Sequence, residues 1–114
     1  MSRDDLANSV QVAGSDILFT VQFDRRGEGL PLINAAVTFQ LKYQNSLILT
    51  RSISSGLTRT LNTADRQVIS GVIPASATAN LPNGVKLKYN WIVVTQGYTL
   101  GDESYQQSFT IKKF

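Results

Sequence analysis

The residues able to do chemistry in this chain are few, and their types narrow the chemistry sharply. Among 114 residues there is no cysteine and no histidine. That removes thiol nucleophiles, thiolate metal sites, the commonest general base and the usual pH switch. Acid–base work is left to eight Asp and Glu residues, which are scattered; the pairs Asp4-Asp5 and Asp102-Glu103 are the acid clusters. A calcium site wants about six to eight oxygens, so two adjacent acids in a polar turn read as solvated. Gly27-Glu28-Gly29 lacks both the Lys-Ser/Thr and the following helix that a phosphate-cradling loop requires. No catalytic residue, metal ligand set or cofactor is expected, and the chain reads as a non-enzyme.

Aromatic and basic side chains are the other candidates. Trp91 and Tyr89 could stack on a sugar or a base, but they share register with Leu87 and Val93, which makes them core. Tyr43, Tyr98 and Tyr105 lie nearer strand ends and loops, where they could touch another chain. Lys86 and Lys88 sit two apart and project to the same side; with Lys42 they could follow a phosphate backbone. Solvated, edge-protecting lysines are the favoured reading. A net charge of +3 is only mildly basic, so no nucleic-acid partner is expected.

The elements that would carry these residues read as strands. Residues 17–24, ILFTVQFD, alternate cleanly, with Ile17, Phe19, Val21 and Phe23 on one face. Residues 35–44 alternate again through Val37, Phe39, Leu41 and Tyr43, and a tight Gln-Asn-Ser reversal returns the chain through LILTRSI as a hairpin partner. SSGLTRTLNTAD reads as a polar loop that tucks Leu57 and Leu61 onto the core edge. RQVISGVI is a strand in which Gly71 marks a bulge or a close backbone approach. Pro74 ends it. ASATANL suits one helical turn, and Pro82-Asn83-Gly84 reverses the chain into VKLKYNWIVVT, the strongest strand. QGYTLGDES forms a hairpin loop, and YQQSFTIKKF closes the domain.

About seven strands with polar turns and no amphipathic helix predict an all-β, immunoglobulin-like antiparallel β-sandwich over residues 17–114. The alanine-rich stretch becomes the crossing between its two layers, with Leu81 plugging the core and Trp91 buried between the sheets. Residues 1–16 remain open between two readings. They are either an arm that reaches a neighbouring subunit through Leu6, Val10 and Val12, or a first strand, SVQVAG, inside the same domain. No apolar run approaches the roughly 20 residues that span a bilayer, and residues 1–16 have no signal-peptide core.

The order of these features resembles a family of small immunoglobulin-like phage proteins that includes the N-terminal domain of phage baseplate upper proteins. The resemblance is carried by Phe19-Thr20-Val21, Val37 to Lys42, Gly56-Leu57-Thr58, the Ala77-to-Gly84 crossing (ATANLPNG), Tyr89 to Thr95, and Phe109-Thr110-Ile111. It covers about residues 17–113. The sequence departs from the family pattern at Ser108, where a glycine usually precedes the last strand, and in a longer, more polar last hairpin. The resemblance implies a non-enzymatic virion structural protein made in the host cytoplasm, either a tail or baseplate adaptor or a capsid decoration protein. It would act through contacts with other virion proteins, as a homo-oligomer or part of a symmetric assembly. The residues expected at those contacts are Leu6, Val10, Val12, Tyr98 and Tyr105. A module binding carbohydrate or host surface through Trp91, Tyr98 and Tyr105 is the alternative.

Overall fold

The computed structural model describes residues 3–25, 29–99 and 107–113. Along the chain run β1 (Arg3–Asp4), β2 (Val10–Val12), β3 (Ile17–Asp24), β4 (Ala36–Tyr43), β5 (Ser46–Ile53) and β6 (Gly56–Asn62). They are followed by β7 (Arg66–Ile73), α1 (Ala75–Thr78), β8 (Lys86–Thr95), β9 (Tyr98–Thr99) and β10 (Gln107–Lys112). The ladder runs β1-β3-β7-β6-β5-β4-β8-β10-β2, with β9 on β8. It folds over at the β5–β6 junction, where only Ser52↔Gly56 and Ile53↔Leu57 pair, in parallel. One layer is therefore β1-β3-β7-β6 and the other β5-β4-β8-β10-β2, an immunoglobulin-like sandwich bent toward a barrel by that corner.

Period-two burial explains most of this. Ile17, Phe19 and Val21 of β3 and Val37, Phe39 and Leu41 of β4 point inward, as do Leu87, Tyr89, Trp91 and Val93 of β8. Across the layers, the Phe19 ring lies 4.9 Å from that of Phe39 and 5.9 Å from that of Trp91. Trp91 also meets Phe23 at 5.5 Å and is 8% exposed. The close approach expected at Gly71 is real: a Cβ there would lie 2.7 Å from both Leu57 Cδ2 and Phe19 Cζ. The register shifts fall elsewhere, at Leu41/Lys42 and Arg59/Leu61.

The crossing from β7 to β8 is pinned rather than loose. Asp16 Oδ1 accepts the Ala75 amide at 2.8 Å, and the buried Thr78 hydroxyl oxygen accepts the Gly14 amide at 3.0 Å. Gly84, at φ 77°, makes the left-handed bend, and its amide donates to Ile111 O at 2.9 Å. Leu81 is half-buried against the core.

Two segments differ from the sequence expectation: Tyr98–Thr99, read as part of a hairpin loop, pair with β8 as β9, and the longer difference lies at 56–62. Residues 56–62 form a full strand, β6, not a loop. Leu57 is buried as expected, whereas Leu61 is largely exposed. Arg59 takes an inward position and is satisfied there by Gln67 Oε1 at 2.8 Å and Ala35 O at 2.7 Å. A half-buried cation on a strand breaks the apolar alternation on which strand recognition depends.

Candidate interaction surface

The N-terminal segment serves both layers. β1 pairs antiparallel with β3 through Arg3↔Gln22 and Asp4↔Val21. The chain then crosses to the other layer, where β2 runs parallel to β10, with Val10 opposite Thr110 and Val12 opposite Lys112. Between these strands the Asp4 carboxylate accepts two hydrogen bonds. One comes from the Leu6 amide at 3.0 Å, the other from the Tyr89 hydroxyl at 2.8 Å. Burial first, then the Asp4 charge, pushes the Tyr89 phenol well above its ordinary value, so it stays a donor.

This geometry separates the five residues expected to meet a partner. Leu6 is 1% exposed and belongs to the chain's own core. It is not presented to a neighbour, because its burial partner is the sandwich it precedes. Val10 and Val12 are exposed on the outer side of β2. Tyr98 is 64% exposed just past a two-residue turn at Gln96 (φ 51°) and Gly97 (φ 81°). Tyr105 lies outside the described residues, as do Gly27, Glu28, Asp102 and Glu103. Val10 is level with Lys86 through Thr110, and Tyr98 with Thr95. Those levels are nine residues apart on β8, roughly 30 Å at the strand rise, so the two exposed sites are distinct.

A further feature escaped sequence reading: the outer margin of β5. From 46 to 51, among the described residues, β5 pairs only with β4, because the β6 pairing begins at Ser52. Its sequence SLILTRSI carries no Pro and no Lys, and Leu47 is 54% exposed. The hairpin that delivers it turns through Gln44 (φ 50°) and Asn45 (φ 65°), the left-handed pair that matches strand twist. An open strand margin whose single charge is Arg51, at its far end, is a ready template for pairing with another chain.

Lysines and aspartates are segregated between the layers, whereas arginines occur on both. Lys42, Lys86, Lys88 and Lys112 all lie on β4, β8 and β10, with Lys42 directly opposite Lys88 and Lys86 opposite Thr110. Asp4, Asp5, Asp16, Asp24 and Asp65 lie on β1, β3 or the turns beside that layer. Asp24 binds Arg66 at 2.7 Å, and the hydrogen bonds from Arg66 and Gln22 hold its carboxyl below the usual range. Asp5 instead accepts the Thr20 amide at 3.0 Å.

Among the described residues no three Asp or Glu side chains are grouped to hold a metal ion, and no helix is long and apolar enough to cross a membrane. The polar cluster around Arg59, Asn62 and Gln67 ties loops together: Gln67 Nε2 donates to Asn62 Oδ1 at 2.6 Å, and Asn62 Nδ2 to Asn34 Oδ1 at 2.8 Å. Trp91, packed against three phenylalanines, offers no open stacking face to a sugar.

No family model matches the chain, and no curated protein matches it. Three solved structures illustrate the likeness of fold. A β-glucosidase from Listeria innocua, solved in complex with glucose, gives a TM-score of 0.51 at 8% identity; the match covers 98% of this chain but 16% of that one. AggA, the major subunit of aggregative adherence fimbriae type I from Escherichia coli, gives 0.45 at 9% identity, covering 100% and 96% of the two chains. The ZIG-8–RIG-5 IG1–IG1 heterodimer gives 0.37 at 8% identity, covering 100% and 91%. At such identities the likeness is one of fold, and function must be argued from the surface itself.

Proposed function

We propose that this protein is a non-enzymatic structural module that works by contact with other subunits, in the setting its sequence resemblance implies, a phage virion. The position would be a tail or baseplate adaptor, or a capsid decoration. The observation that supports this reading most is the open margin of β5. A rigid sandwich that leaves the six residues 46–51 of an apolar-rich strand open on one side, with Arg51 their single charge, is suited to taking up a neighbouring chain. Contacts of that kind are modest singly and become firm when symmetry repeats them.

Mass spectrometry with copy counting on purified particles of the encoding phage tests the proposal. A fixed stoichiometric number of copies per particle is expected, falling when Leu47 is replaced by Lys. A chain absent from purified particles would overturn the virion assignment.

A further inference from the structure

The two outer faces of the sandwich carry complementary patches that the subunit-contact reading does not by itself predict. On the β3–β7 face, Leu18 is 75% exposed and lies opposite the exposed Val72. Asp5 borders this pair, lining a shallow depression with Leu18 and Val72, and Asp16 precedes Leu18 by two residues. On the β10–β2 face, Val10 is 57% exposed and Val12 is exposed beside it. Here the neighbours are basic: Val12 is opposite Lys112, and Val10 is level with Lys86 through Thr110. No salt bridge among the described residues engages Lys86 or Lys112, or Asp5 or Asp16.

We infer that the Leu18/Val72 patch of one copy docks on the Val10/Val12 patch of a second copy, with Asp5 and Asp16 facing Lys86 and Lys112. The occupant is a second copy because each apolar pair meets, on the opposite face of the same chain, an apolar pair flanked by the opposite charge. The same charges set like against like if either patch meets itself, so a two-fold contact through one patch is disfavoured. The two patches lie on different layers, so the contact is head-to-tail and propagates into a ring or a filament. Four side chains and their charges make a footprint far below the ~800 Å² per partner of a stable interface. The contact is therefore weak singly and depends on repetition. This deepens the subunit-contact reading and rests on it.

Sedimentation velocity of the full chain, across concentration and salt, tests the inference. Self-association is expected to go beyond a dimer, to a ring or a filament, and to weaken about fivefold from low to high salt, as two exposed ion pairs would require. Leu18→Lys alone and Val10→Asn with Val12→Asn alone each leave a monomer. Mixed one to one, these two variants form a dimer and stop there, since each retains one intact patch. All three positions are exposed, so folding, checked by circular dichroism, is retained. A two-fold dimer, or association that ignores both variants and salt, would overturn this contact. If Leu47→Lys abolishes association while these variants do not, the subunit-contact reading survives and the head-to-tail contact falls. A wild-type chain that stays monomeric across the concentration range also overturns it, leaving particle incorporation to judge the broader proposal.

Discussion

The two margins of the sandwich are finished in opposite ways. At one margin the chain closes its own edges: β1 covers part of β3, β2 covers β10, and the Asp5 side chain stands in for a strand by accepting the Thr20 amide. At the other margin β5 and β6 meet through two residue pairs and then part, leaving 46–51 of β5 paired on one side only. Backbone groups at an edge need partners or water. The first margin satisfies them from within the chain, and the second leaves them available. On the proposed function, the guarded margin serves stability and the open one association.

The largest expected effect comes from breaking the guarded margin at its anchor. Leu6→Ala removes a fully buried side chain and should cost about 2–4 kcal/mol in denaturant unfolding. It should also speed hydrogen exchange at Ala13, whose amide donates to Lys112 O. A loss under about 0.5 kcal/mol would mean that the N-terminal segment is not anchored as described.

Next comes the hydrogen bond behind that anchor. Tyr89→Phe should cost about 1–2 kcal/mol at neutral pH. Because the folded-state value of Tyr89 is raised, the wild type has its full contribution below about pH 10, where the unfolded chain titrates, and loses it as pH rises further. Above that point the unfolded phenol gives up its proton while the folded one keeps it. The variant should lack this part of the alkaline decline, and unfolding curves between neutral and strongly alkaline pH read the difference.

The open margin should respond differently. Leu47→Lys is expected to leave stability within about 0.5 kcal/mol, since the side chain is already half in water. It should instead reduce any strand-mediated association, because a charge on an uncovered edge opposes pairing. A large stability loss would mean that this margin is part of the core after all.

The smallest effect concerns Asp24, on the same strand that β1 guards. Its lowered value contributes stability that is present above the unfolded-state pKa and lost as pH falls through the folded one. Arg66→Ala should move the Asp24 titration back toward the ordinary carboxylate range. An NMR titration that shows no movement would assign the lowering to other groups.

How much of this could be read from sequence depended on whether a residue's role was local. Strands such as 17–24 and 86–95 announce themselves because neighbours two apart share a face. β6 does not, since Arg59 occupies an inward position and its partners Gln67 and Ala35 come from elsewhere in the chain. Leu6 has no alternating neighbours, so nothing nearby marks whether it enters this core or another. The separation of lysines from aspartates, and the gap beside β5, exist only once strand order is known. Trp91 could be placed because four apolar side chains on one strand face state their common destination.

The parallel pairing of β2 with β10 has a mechanical consequence. Thr110 donates to Ser9 O and Ala13 to Lys112 O, both at 2.9 Å, along two strands that run the same way. Tension applied through the chain before residue 9 and after residue 113 pulls those strands in opposite directions along their length. The bonds then bear the load together as a shear joint instead of peeling one at a time. Under stretching, the three-residue strand would yield late and abruptly for its size.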